Sequence, residues 1–313
     1  MSGHEELAER EGEEKENLQT NHLGWVGVGT AVLVAFLWSL CYPLITTAVH
    51  YAPPFVVAAL RSVVAGGVLL SLTMFLDAPH PSGWNWGAVT AIGICSTGIG
   101  FTGMFYAGGK ITPGLATVIA NVQPILAAVI GYFILEESLH LGQGLGMGIA
   151  FTGIIVVSSS TLLANSTLPS SGSGILFVLL GAAGVAAGNV LMKRYSDVLH
   201  PITATGWQLL FGASVLFLLT FLDNSVGFSR TEWTWTFLFS LLGLSIPGTA
   251  IAFALWFWLM RRGPLNTLNV FSFLTPIFAF TIGMMFYQEH PSVREIVGSI
   301  LVMIGAWLAT QNK

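Results

Sequence analysis

The sequence predicts an all-α membrane protein of ten transmembrane helices arranged as two inverted five-helix repeats. Three observations carry this. Of 313 residues, 54% are hydrophobic and only 8% are charged, where a soluble domain carries about a quarter charged. Mean hydropathy is +0.76. The apolar residues fall in runs close to the roughly 20 residues that a helix needs to cross a bilayer.

The runs are 25–48, 54–76, 85–106, 113–135, 141–162, 174–192, 201–222, 233–258, 264–287 and 292–311. Their breaks are punctuated by Ala52-Pro53-Pro54, Ala78-Pro79-His80-Pro81, Gly108-Gly109-Lys110, Glu136-Glu137 and Arg261-Arg262-Gly263-Pro264, the residues expected between elements. Strands of a membrane barrel are about 10 residues long and alternate strictly; these runs are longer and do not alternate. Before them, residues 1–22 hold seven acids against Arg10 and Lys15. That composition predicts a disordered acidic tail, and it lacks the basic start of a signal peptide. Beyond the tail, basic and acidic side chains nearly balance, so no basic stripe is present for nucleic acid. The partner implied by composition is the lipid bilayer. Cys41 and Cys95 both sit in apolar runs and read as small core residues.

The uncharged segment 163–173 divides the chain into a first repeat, 23–162, and a second, 174–313. At an offset of 152, Phe105 matches Phe257, Lys110 matches Arg262, Pro124 matches Pro276, Glu137 matches Glu289, Gly146 matches Gly298 and Gly153 matches Gly305. At an offset of 147, Pro54 matches Pro201. Five spans per half invert the second half relative to the first, the plan of many secondary transporters. Counting Lys and Arg by loop gives seven on the side of the termini and three on the other. Both termini are therefore expected in the cytoplasm, and the cell membrane is the expected location.

The ordered, doubled motifs resemble the EamA branch of the drug/metabolite transporter superfamily. The residues are Leu60-Arg61, Phe105-Tyr106-Ala107, Pro124, Glu136-Glu137, Gly146 and Gly153, then Thr275-Pro276, Gln288-Glu289, Gly298 and Gly305. The resemblance covers residues 25–311 and implies a carrier of small organic solutes, often an exporter of amino acids or related metabolites.

A carrier needs a polar site at mid-depth. Pro124 and Pro276 each remove a helix N–H, freeing the carbonyls of Ala120 and Ser272, which are tolerated only against protein or a wet cavity. Asn121 and Gln123 beside the first, and Asn269, Ser272 and Thr275 beside the second, are candidate substrate ligands; the alternative is that these amides bond neighbouring helices. Arg61 is the strongly basic residue well inside a span. It either faces a cavity, where it would take a substrate carboxylate, or snorkels to the interface. Trp38 and Tyr42 stand one turn apart on one face and, with Phe253 and Trp256, are candidate cavity aromatics beside Phe101 and Phe105. Asn189 and Gln208 are further polar intrusions. No Asp or Glu lies mid-span, which argues against a carrier of cationic drugs and for a neutral or zwitterionic substrate.

No catalytic residue, metal site or cofactor is expected, since the histidines are dispersed at span ends and no HExxH, GxSxG or phosphate-loop pattern occurs. The alternatives are a non-transporting receptor or scaffold, or a carrier of sugars or other metabolites. Gly142, Gly144, Gly146 and Gly148 form two overlapping GxxxG pairs, expected to pack the fifth span on the tenth, with a homodimer face as the alternative.

Overall fold

The computed structural model describes residues 24–108, 110–134, 141–163, 171–195, 197–222, 228–260, 271, 272, 274–286, 288 and 290–309. The acidic tail, residues 164–170 of the expected linker and Asn269 lie outside them. The described residues are helical and form no strand; Gly108 and Ile111 make one isolated bridge.

In chain order the helices are α1 Gly24–Ser39, α2 Cys41–Ala48, α3 Pro54–Phe75, α4 Asn85–Ile92, α5 Gly100–Ala107, α6 Pro113–Ala120, α7 Gln123–Ile134, α8 Leu141–Leu163, α9 Ser171–Arg194, α10 Pro201–Leu222, α11 Trp235–Ser245, α12 Ala252–Met260, α13 Leu274–Phe286 and α14 Val293–Ala309. Two π-helical segments, Gly93–Ile99 and Ile246–Ile251, join α4 to α5 and α11 to α12. Seven stretches are long and apolar enough to cross a membrane: Gly24–Ala48, Pro54–Phe75, Asn85–Ala107, Leu115–Ile134, Gly172–Arg194, Pro201–Leu222 and Trp235–Trp256. Helices α8, α13 and α14 stand where the other three spans are expected.

Proline sets many of the boundaries. Pro54, Pro113 and Pro201 open α3, α6 and α10, where the missing N–H would be unpaired anyway. Inside a run, proline interrupts. Pro43 leaves Leu40 as a turn between α1 and α2, and Pro124 leaves Asn121-Val122 as a turn between α6 and α7. Pro247 removes the N–H that would reach the Gly243 carbonyl, and the helix widens there into its π segment. At α14 a capping box replaces proline. The Ser292 amide donates to the Glu295 carboxylate at 2.6 Å, and the Glu295 amide donates to the Ser292 hydroxyl at 3.3 Å.

Glycine sets the closest approaches. A methyl built on Gly66 of α3 would stand 3.0 Å from the Gly206 carbonyl of α10, and one on Gly206 would stand 2.8 Å from Leu70. That register runs α3 and α10 antiparallel. Likewise, a methyl on Gly153 of α8 would lie 2.7 Å from the Gly298 carbonyl, and one on Gly305 of α14 would lie 2.6 Å from the Gly146 carbonyl. These two helices are also antiparallel and in backbone contact. The expected packing of the fifth span on the tenth is therefore present, but through Gly146 and Gly153. Gly142, Gly144 and Gly148 face open space.

The helix ends meet in a consistent order. The Glu232 amide donates to the Tyr51 carbonyl at 2.8 Å, and Gly174 approaches Lys110 and Ile111. At the opposite end, the Trp207 indole donates to His80 Nδ1 at 3.1 Å, and Arg194 donates to the Ile134 carbonyl at 3.0 Å. Exposed tryptophans mark the ends: Trp25, Trp84, Trp233 and Trp235, as interfacial anchors do.

Candidate functional site

Arg61 lies on α3 and is only 3% exposed, so it does not snorkel. Its Nε donates to the Thr249 hydroxyl at 2.7 Å. Thr249 belongs to the second π segment, and its own hydroxyl proton goes to the Leu244 carbonyl at 2.8 Å, five residues back. Arg61 Nη2 lies 3.5 Å from Cys41 Sγ, and the guanidinium carbon sits 4.5 Å from the Phe101 ring centre and 5.6 Å from that of Phe105. Four apolar or neutral groups thus hold a cation inside the bundle. Among the described residues Nη1 has no hydrogen-bond partner.

Tyr42 follows Cys41 on α2, is 4% exposed, and its hydroxyl also lacks a partner among the described residues. It is close enough to Arg61 for the two to interact electrostatically. The described carboxylates, Asp77, Asp197, Glu232 and Glu295, stand at helix ends or in connections. None reaches this cluster.

The aromatic candidates form a second group. Trp38 lies 5.0 Å from Trp256 and 6.3 Å from Phe253, ring centre to ring centre, and all three are half-buried. Tyr42 packs with Leu115, Ile119 and Val122 of the broken fourth run.

The polar candidates separate. Asn121 is buried and its amide donates back to the Thr117 carbonyl at 2.9 Å, closing the end of α6. Gln123 and Pro124, the first two residues of α7, are half-buried, as is Ser272. Pro276 and Thr275 are buried on α13, and the Thr275 hydroxyl has no partner among the described residues. Asn189 is exposed although it shares the stripe of α9 that carries buried Val178 and Ala182, and its neighbour Gly188 packs against Ser96. Gln208 is 5% exposed, its Oε1 has no partner among the described residues, and its backbone abuts Gly93 of the first π segment.

Sequence reasoning missed Thr249 and Cys41 as partners of Arg61 and missed both π segments. The signals present were Pro247 for the second segment and Pro43 for the turn beside Cys41.

The family profile for EamA-like transporters matches this chain twice, at residues 25–159 and 172–311. The chain belongs to the EamA-like transporter family. It is 28% identical to a chloroplastic WAT1-related protein of Arabidopsis thaliana over 87% of this chain and 66% of that one. It is 27% identical to an uncharacterized transporter of Synechocystis over 91% of this chain and 89% of that one. It is 23% identical to a probable amino-acid metabolite efflux pump of Escherichia coli over 89% and 92%. A solved structure of 22% identity superposes with a TM-score of 0.64 over 89% of this chain and 95% of its own, which shows the fold. The EamA protein is an integral membrane transporter, not an enzyme, and the two profile matches are its two repeats.

Proposed function

We propose that this EamA protein exports small organic solutes that carry a carboxylate, amino acids or related neutral or zwitterionic metabolites, by alternating access of two inverted five-helix repeats. The observation that carries the substrate class is Arg61, a buried cation with Nη1 unpartnered and no acid beside it among the described residues. A guanidinium keeps its charge in proteins, and a substrate carboxylate would satisfy that charge with a charge-assisted hydrogen bond. The interior acids that a carrier of cationic drugs would need are missing among the described residues. The E. coli relative's name, an amino-acid metabolite efflux pump, agrees with this class.

Three features support the inverted repeats. Antiparallel α3 and α10 occupy matching places in the two halves, and so do α8 and α14. A π segment occurs in the third apolar run of each half. Each segment touches a polar residue of the opposite half at the same repeat position: Thr249 meets Arg61, and Gly93 meets Gln208. Arg61 and Gln208 are related by the 147-residue offset that pairs Pro54 with Pro201. Rocking two such halves exposes one site to either face in turn. The buried Arg61 cluster supports closure on the side of Tyr51 and Glu232.

We place both termini in the cytoplasm and the protein in the cell membrane. A cysteine introduced at Ser171 is expected to react with an impermeant maleimide from outside; reaction only after permeabilisation contradicts the orientation. The substrate class is tested by flux of an amino-acid panel in proteoliposomes with the parent and Arg61→Gln.

A further inference from the structure

The cation at Arg61 poses a problem that the transport reading leaves open, namely what balances it when no substrate is bound. An isolated ion buried in a low-dielectric interior is strongly unfavourable unless it is paired. The groups that face Arg61 are Thr249, Cys41, Phe101, Phe105 and Tyr42. All are uncharged as thiol, phenol, hydroxyl or ring. Two donor atoms in this cluster are unpartnered among the described residues: Arg61 Nη1 and the Tyr42 hydroxyl oxygen. Both belong to side chains more than nine-tenths buried, and both atoms are closed off from solvent. Unsatisfied donors on a cation, with no carboxylate among the described residues to meet them, fit a receptor for a small anion.

We propose that the Arg61 cluster is a binding site for a small monovalent inorganic anion, chloride, held by Arg61 Nη1 and the Tyr42 hydroxyl. The anion neutralises the guanidinium while the substrate is absent. It occupies the donors that a carboxylate would use, so chloride and a carboxylate solute compete. Thr249 holds Nε and Cys41 lies against Nη2, which leaves Nη1 as the nitrogen available to the ion. The site uses the same guanidinium as the transport reading but does not depend on an amino acid being the substrate.

The test is thermal unfolding of the purified full chain in detergent, with chloride replaced stepwise by gluconate at constant ionic strength. A ligand that binds the folded state raises Tm with its concentration. Chloride is expected to raise Tm by about 2 °C or more in the parent, with bromide acting similarly. Arg61→Gln is expected to lose the dependence and Tyr42→Phe to weaken it. Tyr42→Phe keeps the ring and the fold, so it decides the matter if Arg61→Gln unfolds. A Tm indifferent to chloride, as when water alone fills the site, overturns the proposal. So does an equal shift in parent and Tyr42→Phe. A chloride response without amino-acid flux would retain this site and reject the substrate class; flux without the response would do the reverse.

Discussion

Arg61 Nε donates to Thr249 Oγ1 across 2.7 Å, joining helices that are 188 residues apart in the chain. The Thr249 hydroxyl is fixed as an acceptor because its own proton is held by the Leu244 carbonyl, an arrangement that exists only because the helix is π-wound there. This bond orients the guanidinium and so determines where Nη1 points.

Thr249→Val removes the acceptor and keeps the shape. A hydrogen bond to a charged group is worth about 1.5–3 kcal/mol, so KM for a carboxylate solute is expected to rise tenfold or more, with kcat little changed. Thr249→Ser keeps the hydroxyl and is expected to stay close to the parent. The two variants are compared by initial-rate flux in proteoliposomes. A matched fall in kcat for both would mean that Thr249 serves only the fold.

The glycines of α8 and α14 divide by what surrounds them. Gly305→Ala places a methyl 2.3 Å from the Ala150 amide nitrogen, where neither backbone can yield, so Tm should fall. Gly148→Ala meets nothing within 4 Å and removes the backbone freedom of glycine in a helix, which favours folding by up to about 1 kcal/mol. Thermal unfolding of the two variants side by side checks the pair, and equal losses would contradict the packing.

Much of the fold was legible because bilayer thickness imposes a length on every crossing helix. The run at 54–76 and the helix Pro54–Phe75 coincide almost residue for residue. The interruption before Pro124 was legible for a similar reason, since a ring nitrogen cannot donate wherever it stands. The site was only half legible. An Arg inside an apolar run announces a cost, yet nothing local says which residue meets it. Cys41 is 20 residues away and looked like packing, and Thr249 lies in the other repeat. The π segments were hidden because Gly93–Ile99 has the composition of any apolar helix; what distinguishes it is the Gln208 backbone lying against Gly93. Asn121 shows the same limit: its amide reads as a ligand in sequence, and nothing local announces that its Nδ2 donates to the Thr117 carbonyl of its own helix.

Pro124 is the second residue of α7, after the Asn121-Val122 turn, and Pro276, its counterpart at the 152-residue offset, lies on α13. Replacing either by alanine restores an N–H to the ladder and stiffens the helix at that point. Turnover should fall while membrane insertion stays at the parental level, measured as flux per molecule of reconstituted protein. Parental turnover in both variants would remove the two prolines from the mechanism.

The most direct measurement is flux of an amino-acid panel in proteoliposomes, with and without a pH gradient, comparing the parent with Arg61→Gln. The parent should move at least one carboxylate-bearing solute and discriminate against its amide analogue. Arg61→Gln should lose that flux by on the order of tenfold or more, the scale of one charge-assisted contact, while reconstituting normally. Equal flux of the same solutes through a well-folded Arg61→Gln protein would contradict the assignment of Arg61 to the substrate.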